Sequence, residues 1–171
     1  IRDQFKNKVK SPADFVNLIN ITNGYLYGNS AKEITLKHIS YRAFVSPYNY
    51  KTFDILKKNG KLRKIYAPEQ KLKNILTTLN VIFQCIYKPH MSTHGYVQGK
   101  SVCTNAKNHV SKNYVYNIDL ENFFPSIHQP RIWKRLQFPP FNLNGNKIKN
   151  IAKSLIKDLA FLFYKILFYL K

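Results

Sequence analysis

The sequence has few acidic residues, few cysteines and no long apolar segment. It contains 8 Asp and Glu against 28 Lys and Arg in 171 residues, a formal net charge of +20. Two cysteines, Cys85 and Cys103, are too few for a disulfide scaffold and indicate a reducing compartment. The longest apolar stretch, 159–170, is interrupted by Lys165 and is shorter than the ~20 residues that span a bilayer. We therefore expect neither a disulfide-rich secreted domain nor a membrane protein.

Several common catalytic motifs are also missing from the sequence. It has no Walker-type glycine loop, no HExxH helix and no nucleophile elbow. Four potential zinc ligands follow one another as Cys85, His90, His94 and Cys103, but their spacing fits no closed zinc module. Both thiols also lie in predicted helices. The sequence thus argues against a zinc site.

The composition is that of a folded, strongly basic domain. Hydrophobic residues make up 44% and aromatic residues 15% of the chain, which excludes a disordered basic tail. The charge of +20 indicates a polyanionic partner, either nucleic acid or an anionic membrane surface. No strongly amphipathic cationic helix favours the membrane. A solvated lysine surface is the alternative, since 23 of the 28 basic residues are Lys.

Helical patterns alternate with extended segments, which predicts an α+β fold. One helix is expected to begin at Ser11-Pro12 and to end at Asn23-Gly24. Another should follow Pro68, where apolar residues recur every three or four positions. Further helices are predicted over 31–44, after Ser101 (with Val102, Ala106, His109 and Val110 inward), after Pro130 (with Trp133 and Leu136 inward) and from Lys147.

Two extended runs, 50–55 and 61–66, flank Asn59-Gly60, a typical hairpin turn. The turn is rich in cations, which are Lys57, Lys58, Lys61, Arg63 and Lys64. Cations in a fixed arrangement suit a triphosphate, and an arginine adds a bidentate fork. A simply solvated basic turn is the alternative.

Residues 114–120 are almost wholly apolar or aromatic and predict a strand with Asp119 near its end. Asp119 and Glu121 are two residues apart, so on a strand both side chains share one face. Carboxylate oxygens are the ligands that Mg²⁺ requires. A solvated strand end or an ion pair with lysine is the alternative. Phe123 and Phe124, which follow, could line a nucleotide pocket or belong to the core.

In their order, these segments resemble the fingers and first palm segment of bacterial reverse transcriptases. Retron and antiphage-defence types are the nearest, and group II intron enzymes are further off. The resemblance rests on residues 53–68, 72–76, 94–101, Asn105-Ala106, His109 and 117–127. It implies a partial right-hand polymerase fold that is divided into an N-terminal helical extension (1–46), fingers (47–113), the start of the palm (114–137) and an atypical C-terminal loop and helix (138–171).

The resemblance also implies roles for single residues. Asp119 matches the first catalytic aspartate, a ligand of both Mg²⁺ ions, and the Leu120 carbonyl is a further ligand. Phe124 matches the steric gate that rejects a ribose 2′-hydroxyl, with Phe123 beside it in the nucleotide pocket. Glu121 matches no ligand. Arg63, with Lys57 or Lys58, matches the residues of the fingers that hold the incoming triphosphate, and Lys61 is a further candidate.

The implied activity is RNA-directed DNA synthesis by two-metal nucleotidyl transfer. Its partners are Mg²⁺, deoxynucleoside triphosphates, an RNA template and a DNA primer, and a dedicated structured RNA is a further candidate. The implied location is the bacterial cytoplasm.

The sequence departs from the family pattern after the first palm segment. It contains neither the Pro-Gln-Gly segment nor the Tyr/Phe-x-Asp-Asp hairpin that supplies the other metal-binding carboxylates, and after Glu121 the remaining acidic residue is Asp158. We therefore expect a fragment, without palm completion or thumb, that is catalytically inactive by itself. The alternative is a non-catalytic, basic nucleic-acid-binding module derived from the same fold.

Overall fold

The structure, a computed structural model, describes residues 1–44, 50–56, 58, 60–120 and 126–142. Within these residues, helices surround an apolar core and two strands form an antiparallel hairpin. The elements are α1 (Arg2–Lys8), α2 (Pro12–Tyr27), a 3₁₀ turn (Gly28–Ser30), α3 (Leu36–Phe44), β1 (Tyr50–Leu56), β2 (Leu62–Pro68), α4 (Gln70–Ile86), α5 (Val102–Lys107) and α6 (Gln129–Leu136). The predicted α+β class is confirmed. None of the described helices has the length and apolar character needed to cross a membrane.

Helix α2 begins as predicted but ends later. The Ser11 hydroxyl accepts a hydrogen bond from the Asp14 N–H at 3.2 Å, and the Asp14 carboxylate accepts one from the Ser11 N–H at 2.8 Å. The predicted end at Asn23-Gly24 is wrong. Asn23 is buried, and its Nδ2 donates to the Lys32 carbonyl at 3.0 Å, so its side chain supports the helix. The helix ends at Gly28, whose positive φ of 54° suits glycine.

The core lies between α2 and α4. Every apolar position predicted for α4 is buried, namely Leu72, Ile75, Leu76, Leu79, Phe83 and Ile86. Helix α1 covers one side, where Phe5 meets Phe15 edge-to-face with ring centroids 6.5 Å apart. The predicted inward position of Leu136 in α6 is confirmed, and Phe141 lies edge-on to Phe83 at 5.6 Å.

The predicted hairpin is confirmed, with strands that pair from Tyr50↔Pro68 to Leu56↔Leu62. Its base is anchored, because Tyr50 packs against the core and Pro68 is buried. Burial also raises the pKa of the Tyr50 phenol above its ordinary value. The remainder of β1 is exposed, including Phe53 at 50%. The hairpin therefore extends away from the helical core.

The prediction of a strand at 114–120 is wrong. These residues have no regular secondary structure and are exposed, Tyr114 at 94%. A strand forms when its N–H and carbonyl groups pair with a neighbouring strand. The described residues contain a single sheet, β1–β2, and neither of its strands pairs with this segment.

Two predicted helices differ from the observed ones in length or burial. In the 31–44 region, the α-helix covers only Leu36–Phe44. The helix after Ser101 has the predicted cap, but its predicted inner face is wrong: Val102, Ala106, His109 and Val110 are all exposed. Because α5 has only six residues and none is buried, capping holds it rather than packing. The Trp133 side chain and the helix predicted from Lys147 lie outside the described residues.

Candidate nucleic-acid interface

The free end of the hairpin includes three of the four residues predicted to bind a triphosphate. Lys58 lies in the turn and Lys61 directly precedes β2, and both are exposed. Arg63 is the second residue of β2 and pairs with Ile55. Lys57 and the Arg63 side chain lie outside what the structure describes. The phosphate-binding role of this group stays a prediction.

One acidic residue faces a cation across the two strands of the hairpin. Asp54 is directly across from Lys64 in the register, and both are exposed. Opposite charges facing each other on antiparallel strands stabilise the pairing modestly. Even with Asp54 counted against Lys64, the turn keeps a surplus of positive charge, which suits an anionic ligand.

Asp119 and Leu120 are exposed residues of the irregular segment 114–120. An exposed carboxylate and a neighbouring carbonyl have the chemistry of Mg²⁺ ligands. A two-ion site needs several carboxylates, and Asp119 supplies one. No group of three or more His, Cys, Asp or Glu residues in the described ranges could hold a metal. The described residues therefore do not fit a complete two-metal centre. Phe123 and Phe124 lie outside them.

The loop between α4 and α5 is held together by Lys100, a role that the sequence pattern did not indicate. Its ammonium donates to the carbonyl of Met91 and, at 2.8 Å, to that of Thr93, and its backbone N–H donates to the Val97 carbonyl at 3.1 Å. Two glycines, Gly95 and Gly99, favour a loop in this segment. The lysine contacts, however, join residues seven and nine positions apart, which no local propensity encodes.

His94 ties the same loop to α5. Its Nδ1 lies 3.0 Å from Thr104 Oγ1, and its Nε2 lies 3.0 Å from Asn108 Nδ2. Both ring nitrogens are therefore engaged by neighbouring side chains. Cys85 is half-buried and Cys103 is exposed.

About half of the chain is similar in sequence to reverse transcriptases, which confirms the resemblance seen in the motifs. The matching proteins are, more particularly, retron reverse transcriptases. That of retron Mx65 from Myxococcus xanthus is 32% identical over 84 residues, 49% of this chain and 20% of that protein. Retron Ec73 reverse transcriptase from Escherichia coli is 42% identical over 85 residues, 48% of this chain and 27% of that protein.

A third relative, retron Ec86 reverse transcriptase from Escherichia coli, is 26% identical over 109 residues, 61% of this chain and 33% of that protein. The chain thus spans between a fifth and a third of the length of these relatives. No protein-family model matches the chain. No solved structure matches it either.

Proposed function

We propose that this chain is the fingers and the first palm segment of a retron-type reverse transcriptase. The complete enzyme copies an RNA template into DNA from a DNA primer, in the bacterial cytoplasm, by two-metal nucleotidyl transfer. The observation that carries the proposal is the similarity of about half of the chain to retron reverse transcriptases. The described hairpin, anchored at its base and cationic at its free end, is compatible with binding of an incoming nucleotide.

In this proposal the hairpin binds the triphosphate of the deoxynucleotide. Lys57, Lys58 and Lys61 act as point charges, and Arg63 adds a planar fork that matches two phosphate oxygens. Lys61 and Arg63 are two residues apart where β2 begins, a spacing that supports a joint role. Their task is binding and orientation, which supply most of the catalysis of phosphoryl transfer.

Asp119 and the Leu120 carbonyl are the proposed contribution of this chain to the magnesium site of the complete enzyme. Phe123 and Phe124 are the proposed wall of the sugar pocket. Because the sequence offers no further carboxylate pair of the family type, we propose that the 171 residues alone bind nucleic acid and do not polymerise. Such binding rests on phosphate contacts and weakens steeply with salt.

The proposal is tested by RNA binding and primer extension with the 171-residue chain. We expect the chain to bind RNA and RNA–DNA hybrid, with an affinity that falls by at least tenfold between about 50 and 200 mM salt. We expect no primer extension in the presence of Mg²⁺ and deoxynucleotides. Incorporation that Asp119→Asn abolishes would show that the chain is a complete enzyme. Absence of RNA binding would contradict the proposal as a whole.

The DNA that follows this coding sequence separates a partial polymerase from the alternative, a non-catalytic binding module. A Tyr/Phe-x-Asp-Asp motif downstream, in any reading frame, identifies the remainder of the palm. Its absence from every frame favours the binding module. Both outcomes leave the predicted RNA binding in place, because that prediction depends on the net charge of the chain.

A further inference from the structure

Helix α6 carries three exposed cations and no acidic residue. Arg131, Lys134 and Arg135 are three and four positions apart, so they share one side of the helix. Ile132 packs against the core and Leu136 is buried, and these two apolar residues hold α6 to the remainder of the protein. We call the three cations the cationic face of α6.

The stability of the helix does not account for this face. Arg131 lies in the first turn of α6, where the positive end of the helix dipole disfavours a cation. Like charges three and four positions apart also destabilise a helix slightly. The sequence has no acidic residue between Glu69 and Asp119 or between Glu121 and Asp158, so neither α6 nor the end of α4 contains a compensating carboxylate. The cluster therefore lowers stability, and a bound anion would offset that effect.

Arg135 is held in a fixed orientation by the chain that follows α6. Its Nη1 donates to the Pro139 carbonyl at 2.7 Å, and its guanidinium carbon lies 6.0 Å from the centroid of the Phe141 ring. That ring is stacked in turn on Tyr87, at the end of α4, with centroids 6.4 Å apart. A guanidinium has five N–H groups, so most of them remain to bind phosphate oxygens. Because the side chain is already ordered, binding costs little conformational entropy.

The cationic face and the hairpin lie at opposite ends of α4. The hairpin ends at Pro68, directly before the start of α4 at Gln70. The Phe141 ring, next to Arg135, instead contacts Phe83 near the other end of α4. From Gln70 to Phe83 the helix rises by roughly 20 Å. The cationic face is therefore a surface separate from the proposed triphosphate site.

The chemistry of the face suits the phosphate backbone of a base-paired nucleic acid. An arginine fork matches two phosphate oxygens, and a lysine adds a point charge. A duplex holds its phosphates in a fixed arrangement, whereas a single strand must first be ordered on a rigid helix at an entropic cost. Double-stranded RNA in particular is recognised mostly by its shape and by contacts with its backbone.

We propose that the cationic face of α6 binds the backbone of double-stranded RNA, with Arg135 as the preoriented phosphate ligand and with Arg131 and Lys134 as further contacts. The inference rests on the proposed function, since it presupposes that the chain binds RNA. It adds a second contact surface, away from the hairpin, for a base-paired segment of that RNA.

The test measures the affinity of the full chain for a fluorescent RNA duplex of about 16 base pairs at several salt concentrations. The double variant Arg131→Ala, Lys134→Ala should lower the slope of log affinity against log salt by about two. The matched control, Lys6→Ala with Lys8→Ala in α1, removes the same charge and should leave the slope nearly intact. Urea denaturation checks that both double variants remain folded.

Two substitutions of Arg135 test its separate role. Arg135→Lys keeps the charge but loses the planar fork and the contact with Phe141, so the affinity for the duplex should fall about tenfold while the salt slope stays nearly the same. Arg135→Ala should bind more weakly still and lower the slope by about one. If Arg135→Lys binds as tightly as the unmutated chain, Arg135 is not a preoriented phosphate ligand.

Each negative result has its own meaning. If the unmutated chain binds the duplex and the Arg131, Lys134 variant keeps the slope of the control, the inference is overturned and the proposed function stands. If that variant loses affinity equally for a single strand of the same sequence, the face does not select a duplex, and the inference is again overturned. Weaker binding to vesicles of anionic phospholipid with unchanged RNA binding would identify a membrane surface instead. If the unmutated chain binds no RNA, the proposed function fails and the inference fails with it.

Discussion

The side-chain amide of Asn20 in α2 bonds twice to the backbone of Ile34. Its Nδ2 donates to the Ile34 carbonyl at 2.8 Å, and its Oδ1 accepts from the Ile34 N–H, also at 2.8 Å. In the segment that leads into α3, the amide thus satisfies both backbone groups of Ile34, as the backbone of a neighbouring strand would. Because Ile34 and Ile39 are both buried, this pair of bonds fixes how α3 meets the core.

Removal of the Asn20 amide should therefore destabilise the fold. We expect Asn20→Ala to lower the free energy of unfolding by about 1–3 kcal/mol, since two backbone groups lose their partner. Urea denaturation monitored by circular dichroism measures this. Asn17→Ala, at an exposed position of the same helix, controls for the gain in helix propensity. Equal stability of the two variants would show that the Ile34 bonds contribute nothing.

The cap of α2 should make stability depend on acid. The Ser11 hydroxyl, and then the backbone N–H groups of Lys10 and Ser11, hold the pKa of Asp14 below its ordinary value of 3.8. Because the folded-state pKa is lowered, the contribution of Asp14 is complete above that ordinary value and is lost as the pH falls through the lowered one. The difference in urea midpoint between the unmutated chain and Asp14→Asn should thus be constant near neutral pH and shrink below about pH 4. A difference that stays constant into strong acid would contradict this linkage.

Two glycines should respond to alanine in opposite directions. Gly24 has helical geometry inside α2, and a Cβ there meets nothing within 4 Å, so Gly24→Ala should stabilise the protein by about 0.5–1 kcal/mol. Gly60 has φ of +77° with equally open space, so Gly60→Ala should strain the hairpin turn by about 1–2 kcal/mol. Urea denaturation reports the first change.

The second glycine is better followed by amide exchange in β1 and β2, since the hairpin lies outside the core and can open locally. Gly60→Ala should accelerate exchange of the strand amides about tenfold or more, while the amides of α4 remain unaffected. Unchanged exchange in the strands would mean that the turn does not require the left-handed conformation.

In the absence of deoxynucleotide, the cations of the hairpin should contact RNA phosphates and determine part of the salt dependence of RNA binding. Each lost phosphate contact lowers the slope of log affinity against log salt by roughly one. We expect the double variant Lys58→Ala, Lys61→Ala to lower that slope by about two. The matched control removes Lys6 and Lys8 of α1, both exposed, and should leave the slope nearly intact. Equal slopes in both double variants would mean that the hairpin is not the contact region.

Local signals in the sequence were sufficient to predict the elements that local chemistry stabilises. Ser11 followed by Pro12 placed the start of α2, the spacing of apolar residues placed α4, and Asn59-Gly60 placed the hairpin. The end of α2 was mispredicted because the side chain of Asn23 bonds to Lys32, a contact that depends on the return of the chain. The bonds from Lys100 to the carbonyls of Met91 and Thr93 also depend on the return of the chain, so the sequence pattern did not indicate them.

The candidate site was predictable only in part, for a related physical reason. A hairpin turn brings its own cations together, so the grouping of Lys58, Lys61 and Arg63 follows from sequence. Residues 114–120 have the composition of a strand, yet composition cannot supply the neighbouring backbone that a strand requires. The place of Asp119 in a metal site therefore stays a prediction.

The exposed segment 114–120 has a consequence for the solution behaviour of the protein. Its first five residues, Tyr-Val-Tyr-Asn-Ile, carry no charge and no proline, and their backbone is outside any sheet of the described structure. Short uncharged stretches of high β-propensity pair readily with copies of themselves. Mutual repulsion between molecules of charge +20 opposes such pairing. Concentrated samples should therefore stay clear at low ionic strength and form fibrous aggregates as added salt screens that repulsion.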